Sequence, residues 1–499
     1  MNSETQVFDL YVRGTVPAAM SGSLIIAASR RHKDRQRFLR WHDSQADLIK
    51  LDVRPGKPGR IKATILSVDP WKFCNTQPRA TPFYPSQPNH GVNIDGHTVW
   101  ATNLLFGAPL EVDLPSWKPR RALRMVPVTR DAPQLSSTSH FAFDLDHRFA
   151  YFHESALRQG ERTVHMQDLV IIRLDAKTGS ERVWGLVPPV DDARSEVHNF
   201  HSAFYFEENG KRFLGLLRTG AVVESLAQHQ IPSEHAVVPM QPSTIWIVEL
   251  DDSQSTLTAS LLPGIRELDG LALSHLDIDA SSRNGFTLYA NYKQADVGEE
   301  THGVNVYGEP PEHVAEHYAG MTVEALNYGI VLRYERINGV HSIRTFSRPY
   351  NPKRTSLGHS WLPINIELDS SKQWLFCSFA GFHPRLLPTH VAKVYTERVA
   401  DLRHIRHVPP LLMRFRAVDL TPDYDDQRTY LSYTEPIAFA IAGTCPEDFL
   451  WTFSPENGLK LYRSHDFSQV VCHAVSPYLM NWRDSHFRPD PAHMVFVQS

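Results

Sequence analysis

Residues 137–155 read STSHFAFDLDHRFAYFHES. Two apolar runs, FAF at 141–143 and FAYF at 149–152, flank a turn rich in Asp, and His140 heads the first run. Short runs of aromatic and β-branched residues, bounded by polar or Gly/Pro clusters, are strand signals. The stretch therefore reads as a strand, a turn and a returning strand. The same pattern recurs along the chain, in GSLIIAAS (22–29), LVIIRLD (169–175), KRFLGLLR (211–218), STIWIVELD (243–251), GFTLYANY (285–292), GIVLRYERI (329–337), QWLFCSFA (373–380) and LLMRFRAVDL (411–420). Several runs end in an Asp-containing turn, as in RLDAKTGSE and VELDDSQS. Helical periodicity is rare. Its best example is PPEHVAEHYAGMTVEALNYG at 310–329, with proline at the start and glycine at the stop. No low-complexity linker divides the 499 residues, and no clean repeat period is visible. The expectation is one large all-β body spanning 1–499, either a β-propeller or a large sandwich.

Composition narrows the function classes. The hydrophobic fraction of 42% supports a sizeable core. A net charge of −4 lacks the basic excess of a nucleic-acid binder. The first residues, MNSETQVFDLYVRGTVP, lack the basic and apolar regions of a secretory signal, and no run approaches the roughly 18 apolar residues of a membrane span. Peripheral membrane contact stays open. The four cysteines, Cys74, Cys377, Cys445 and Cys472, are far apart and form no CxxC. A disulfide framework or zinc ribbon is not expected, and a reducing cytoplasm fits best.

The chain has no GxSxG elbow, P-loop, HExxH or strand-borne GxGxxG. It has 26 histidines. Four contexts share one form: a histidine at the head of a strand, a turn with Asp, Glu or Asn, then a second strand. These are His140, His198 or His201 in VHNFHSAFYFEENGKRFLGLL (197–217), His275 in LALSHLDIDASSRNGFTLYANY (271–292), and His493 in AHMVFV (492–497). The inner strands of a propeller converge on its axis, so one histidine from each of four blades can meet there. His302 competes with His275, and His486 with His493.

The sequence also resembles the carotenoid cleavage oxygenase family, which includes stilbene-cleaving enzymes and a retinoid isomerase, nearly end to end. VRGTVPAAMSGSLIIAASR (12–30) resembles the family's first strand motif, and HTVWATNLLFGAPLEVDLPSWKP (97–119) the segment before its first ligand. TSHFAFDLDHRFAYFHES resembles the first ligand motif, YTEPIAFA (433–440) its Glu-Pro stretch, and EDFLWTFSPENGLKLYRSHDFSQVVCHAVSP (447–477) its last full hairpin. His493, Phe496 and Val497 resemble the closing ligand motif. The intervals between His140, His201, His275 and His493 are 61, 74 and 218 residues, a short, short, long order like the family's.

The resemblance implies a seven-bladed propeller, with a few helices and loops capping an axial metal site. It implies one Fe(II) held by His140, His201, His275 and His493, and cleavage of a C=C bond by O₂ into two carbonyls. The substrate would be a small apolar alkene, a carotenoid or apocarotenoid, or a stilbenoid. His201 is preferred to His198 because it sets Glu207 and Glu208 at the following turn. Ligand imidazoles usually donate their other N–H to a carboxylate. Glu435 matches one such acid of the family, and Glu367 is a weak match for another. Ala101, in VWATN, stands where a third is expected; a water, a carbonyl or a displaced acid such as Glu154 would take its place. The segment RFLRWHDSQADLIKLD (37–52) keeps Asp43 but lacks the family's glycines.

Two other classes remain open: a metal-dependent hydrolase or lactonase propeller, and a non-catalytic binding propeller. The residues do not decide the substrate, the bond cut, cleavage against isomerisation, or the oligomeric state.

Overall fold

The computed structural model describes the strands and their short turns. Outside the described residues lie 1–4, 33–45, 69–87, 104–109, 123–133, 192–198, 220–243, 266–270, 295–328, 348–361, 381–410, 424–429, 433–437 and 476–486, with a few shorter stretches. All but the last residue of the expected helix at 310–329 falls there. So do His198, His302, His486, Glu435 and Asp43.

Twenty-eight of the thirty described strands group into seven antiparallel blades of four; the other two are Thr5–Gly14 and Gln134–Ser137. Blade 2 runs Pro88–Asn93, Thr98–Asn103, Leu110–Asp113 and Lys118–Ala122. Blade 3 is Ala142–Phe143, Phe149–Gln159, Val164–Asp175 and Glu181–Val187. Blade 4 is Asn199–Glu208, Lys211–Thr219, Thr244–Glu249 and Thr256–Leu261. Blade 5 is Leu271–Asp279, Gly285–Gln294, Gly329–Ile337 and Val340–Ser347. Blade 6 is Leu362–Leu368, Trp374–Ala380, Leu411–Arg416 and Tyr430–Ser432. Blade 7 is Ala438–Thr444, Glu447–Ser454, Gly458–Arg463 and Gln469–Val475.

Blade 1 is assembled from both ends of the chain. Its three outer strands are Gly22–His32, Ala46–Val53 and Arg60–Val68. Its inner strand is Phe487–Gln498, which pairs with Gly22–His32 from Gly22–Gln498 to His32–Phe487. A second seam lies outside: Thr5–Gly14 pairs with Arg60–Val68 of blade 1 on one side and with Gln469–Val475 of blade 7 on the other. The exposed edges that an open sheet would leave at this junction are thereby paired. Blades 3 and 4 are further joined by a short parallel pairing of their outer strands.

The core is a set of slabs, one between each pair of neighbouring blades. Strand alternation builds them. Leu24 and Ile26 face blade 7 with Phe449, Trp451 and Phe453, whereas Ile25 and Ala27 face blade 2 with Val99, Val112 and Trp117. Both faces of a blade are buried, so its strands read as continuous apolar runs rather than alternating ones. GSLIIAAS is such a run.

Turns follow the sequence signals closely. Asn209–Gly210 and Asn338–Gly339 have positive φ at both residues, as two-residue hairpin turns require. Asp side chains cap the others: Asp144 accepts from Phe149 N–H at 2.8 Å, and Asp369 from Gln373 and Trp374 N–H at 2.9 Å each. Asp175 accepts from Lys177 N–H at 2.9 Å. The carboxylate is the acceptor that an Asx turn needs. Two glycines are dictated by close approach. A Cβ on Gly22 would lie 2.1 Å from the Val497 carbonyl oxygen, and one on Gly215 would lie 2.0 Å from the Phe204 ring. Among the described residues no helix is long and apolar enough to cross a membrane.

Candidate metal centre

From blade 3 through blade 7 to blade 1 and on to blade 2, the inner strands of neighbouring blades touch in turn, and three histidines meet between blades 1, 3 and 5. His140 lies just ahead of the inner strand of blade 3. It forms an isolated parallel bridge with Ser202 of blade 4, and its carbonyl accepts the Ala203 N–H at 3.0 Å. This contact ties blades 3 and 4 together near the axis. His275 lies in the inner strand of blade 5, and His493 in that of blade 1, opposite Ala27.

The three imidazoles form a nearly equilateral group. Ring centroids are 5.0 Å apart for His140–His275, 4.7 Å for His140–His493 and 4.9 Å for His275–His493. The planes meet edge to face, at 62° to 80°. One nitrogen from each lies within 4.8 Å of the others, and all three residues are partly buried. Residues separated by more than a hundred positions on either side are thus brought to one point. The donor set is three nitrogens without charge when neutral, which suits Zn, Cu, Fe or Ni better than Ca or Mg.

Local irregularity of the strands positions these groups. A bulge puts an extra residue into one strand and re-aims the side chains beside it. In blade 5, Ser274 and His275 together stand opposite Asn291. In blade 1, Ala492 is the extra residue, between the Ala27–His493 and Ala28–Pro491 pairs. In blade 4, the extra residue is His201 itself, between the Phe200–Arg218 and Ser202–Leu217 pairs. The His201 backbone therefore adjoins Ser202, the bridge partner of His140; its side chain lies outside the described residues.

The residue after His140, Phe141, enters the slab between blades 2 and 3. It meets Trp100 of blade 2 edge to face at 5.9 Å. Ala101, where the resemblance leads one to expect a carboxylate, lies in the same strand and pairs with Gly91 and Leu110. Glu154 pairs with Val170 within blade 3 and with Ser137 of the added strand Gln134–Ser137.

Glu367 lies in the inner strand of blade 6, and its carboxylate accepts the Ile441 N–H of blade 7 at 3.3 Å. Burial, and then the like charge of Asp277, push its carboxyl well above the usual range. Asp277 stands two residues after His275 and accepts the Leu368 N–H at 2.6 Å. Burial lifts its carboxyl as well. Two acids near the inner strands therefore stitch blade 5 to blade 6 and blade 6 to blade 7.

Two features escaped sequence reasoning. Asp277 is hidden in the ordinary strand text LDIDA. His153, fully buried in blade 3, sets its ring 4.6 Å from Phe200, the residue before His201. Its signal was parity: Tyr151 and His153 share one strand face, which turns toward blade 4 in the slab that holds Tyr151 and Phe200.

No protein-family model matches the sequence, and no curated protein matches it. Solved structures do match. A Synechocystis apocarotenoid oxygenase carrying a tryptophan-to-alanine mutation matches with TM-score 0.56 at 10% identity, over 100% of this chain and 97% of that one. The lignostilbene dioxygenase of Pseudomonas brassicacearum matches with TM-score 0.58 at 10% identity, over 100% and 96%. A cobalt-substituted form of the Synechocystis oxygenase gives TM-score 0.57 at 10% identity, over 100% and 97%. At such identity the likeness is one of architecture, and it extends over the whole chain. From end to end, the chain has the propeller fold of the carotenoid cleavage oxygenases.

Proposed function

We propose that this chain is a non-haem Fe(II) dioxygenase that cuts a C=C bond of an apolar conjugated substrate into two carbonyls. The observation that carries the reading is the convergence of His140, His275 and His493 from three blades, in a fold whose solved examples include an apocarotenoid oxygenase and a lignostilbene dioxygenase. His201 is the fourth ligand, supported by its bulge beside the His140 bridge. Substrates are a carotenoid or apocarotenoid, or a stilbenoid, together with O₂. The reading treats 1–499 as one domain and the protein as cytoplasmic, with membrane contact confined to substrate uptake.

Iron, when bound, supplies O₂ activation through the positions that four imidazoles leave open. The protein's own residues hold it in a neutral cage. The net reaction adds one oxygen atom of O₂ to each alkene carbon and moves no proton, so it needs no acid–base dyad. The buried rings of Phe141, next to His140 in sequence, and Trp100 pack together in the slab between blades 2 and 3. Glu435 and Glu367 are proposed to steady ligand imidazoles from outside, Glu367 through its place between blades 6 and 7.

Metal analysis and a product assay test the proposal together. About one iron per chain, with carbonyl products from an aerobic panel of apocarotenoids and stilbenes identified by mass, is the expected result. His275→Ala should lose both. Calcium or zinc in place of iron would favour a hydrolase, and no metal at all would favour a binding propeller.

A further inference from the structure

His275 is held less closely by its own blade than the residues after it. Ser274 and His275 together face Asn291, so the ladder of blade 5 is interrupted at the donor itself and resumes at Leu276–Ala290 and Asp277–Tyr289. A bulged residue leaves the ladder, and the pairing alone no longer fixes its side chain. Two residues on, and on the same face of the strand, stands Asp277. Its carboxylate accepts the Leu368 N–H of blade 6 at 2.6 Å and the Ile278 N–H at 2.7 Å. Its ladder partner Tyr289 turns to the same blade. The Tyr289 hydroxyl donates to the Ala417 carbonyl at 3.1 Å, and the ring belongs to the slab of Ile366, Leu368 and Phe415. The pair Asp277–Tyr289 therefore fastens blade 5 to blade 6 at two points, and the inner point adjoins the His275 segment.

Position around the ring makes the second argument. Blades 1, 3 and 5 carry the three converging histidines. From blade 5 to blade 1 the ring passes through blades 6 and 7, whose inner strands LPINIEL and AFAIAGT hold no histidine. His275 and His493 nevertheless stand 4.9 Å apart, centroid to centroid. Across this arc, side chains bond the inner strands to one another: Asp277 to the Leu368 N–H, then Glu367 to the Ile441 N–H at 3.3 Å. The inner strand of blade 7 then meets Phe487–Gln498, which carries His493. In sequence, Asp277 is the link of that chain nearest a donor.

We propose that Asp277 is a positioning residue of the metal centre: by holding the bulged His275 segment to blade 6, it sets His275 against His493 across the two blades that supply no histidine. This rests on the metal-binding reading above. Asp277 acts through the backbone and gives no atom to the metal. An amide oxygen can fill the same acceptor role, whereas a methyl group cannot. Linkage makes the effect reciprocal: what Asp277 adds to metal affinity, bound metal adds to the Asp277–Leu368 contact.

The test uses the metal-free full-length chain with Co²⁺ as probe, followed by calorimetry and visible absorption, with a melting curve for each variant. Asp277→Ala should weaken Co²⁺ binding by at least about fivefold, the low end of coupling between sites, and shift the visible bands at saturation. Asp277→Asn keeps an acceptor oxygen for Leu368 and should restore both. Asp448→Ala is the control. Asp448, in the second strand of blade 7, accepts the Ser370 N–H of blade 6 at 3.0 Å, a contact of the same kind with no candidate donor beside it. Its loss should lower the melting temperature and leave the spectrum alone. Wild-type affinity and spectrum in Asp277→Ala would overturn the proposal. So would a spectral change that Asp448→Ala reproduces, or one that Asp277→Asn does not repair. A wild-type chain that takes up no Co²⁺ would overturn the metal centre itself, and the role of Asp277 with it. Should Asp277→Ala not fold, amide hydrogen exchange of wild type decides. Co²⁺ should slow exchange at Leu368 more than at Ser370; equal slowing at both refutes the proposal.

Discussion

His493 and Val497 lie four residues apart on one strand, and the structure gives them opposite jobs. Val497 is 4% exposed and fills the slab between blades 1 and 2, against Ile25, Leu48, Val99 and Trp117. Val497→Ala removes two methyl groups, about 1.6 kcal/mol at roughly 0.8 kcal/mol for each buried carbon. The cavity left behind adds up to about 1 kcal/mol, because blades held by pairing on both sides collapse only partly. The expected loss is therefore about 2–2.5 kcal/mol, read by urea unfolding of the metal-free chain, with metal uptake of the folded protein unchanged. His493→Ala should do the reverse. Its imidazole is only partly buried and its role lies at the axis, so metal-free stability should stay within about 1 kcal/mol of wild type. Metal content should fall from about one per chain to little. If Val497→Ala cost less than about 0.5 kcal/mol, the slab account of the core would fail. If His493→Ala kept its metal at wild-type affinity, the axial grouping would have no ligand role.

Other consequences follow from single contacts. Gly215→Ala places a methyl inside the Phe204 ring and should cost about 1–3 kcal/mol or more in the same unfolding assay. Arg336 and Glu208 pair at 3.0 Å across blades 4 and 5, with the Glu208 side chain only 8% exposed. Arg336→Met, which strands that carboxylate, should lower stability by about 3 kcal/mol, whereas the double change to Met and Gln should recover part of the loss. Glu367 has a carboxyl raised by burial, so the folded state keeps a proton that the unfolded chain gives up above about pH 4.3. Stability should then fall as pH rises above that value, by up to about 1.4 kcal/mol per pH unit, until the folded carboxyl ionises. Glu367→Gln should flatten this slope in unfolding curves taken from pH 4 to 8; an unchanged slope would show that Glu367 is ionised in the folded state.

Much of the architecture was legible because strand formation here is a local matter. Apolar runs of strand length, Asn-Gly pairs and Asp at the run ends specify where strands start and turn, and the structure keeps these boundaries. The candidate histidines were equally plain, and three of them, His140, His275 and His493, meet at one point. Only His140 heads its strand, whereas His275 and His493 lie inside Leu271–Asp279 and Phe487–Gln498, which begin earlier than the sequence suggested. Other things had no local signature. Whether Ile25 faces blade 2 or blade 7 depends on which blades flank it. The seam in which Thr5–Gly14 joins blades 1 and 7 depends on both ends of the chain arriving together. The buried pair Asp277 and Glu367, and His153 against Phe200, acquire their surroundings only when neighbouring blades close on them.

By itself, then, the sequence determined the strands, the turns and the candidate donors, because neighbours within ten residues decide those. The tertiary structure decided which donors share an axis. Ring closure brings positions 140, 275 and 493 together, and single extra residues at Ala492, at His201 and beside His275 set their place within each strand. A bulge depends on pairing with a partner strand, which no short stretch of sequence contains. That is why the tail at His493, read alone, was a strand with a histidine, and in the folded ring is both the inner wall of blade 1 and one corner of the axial group.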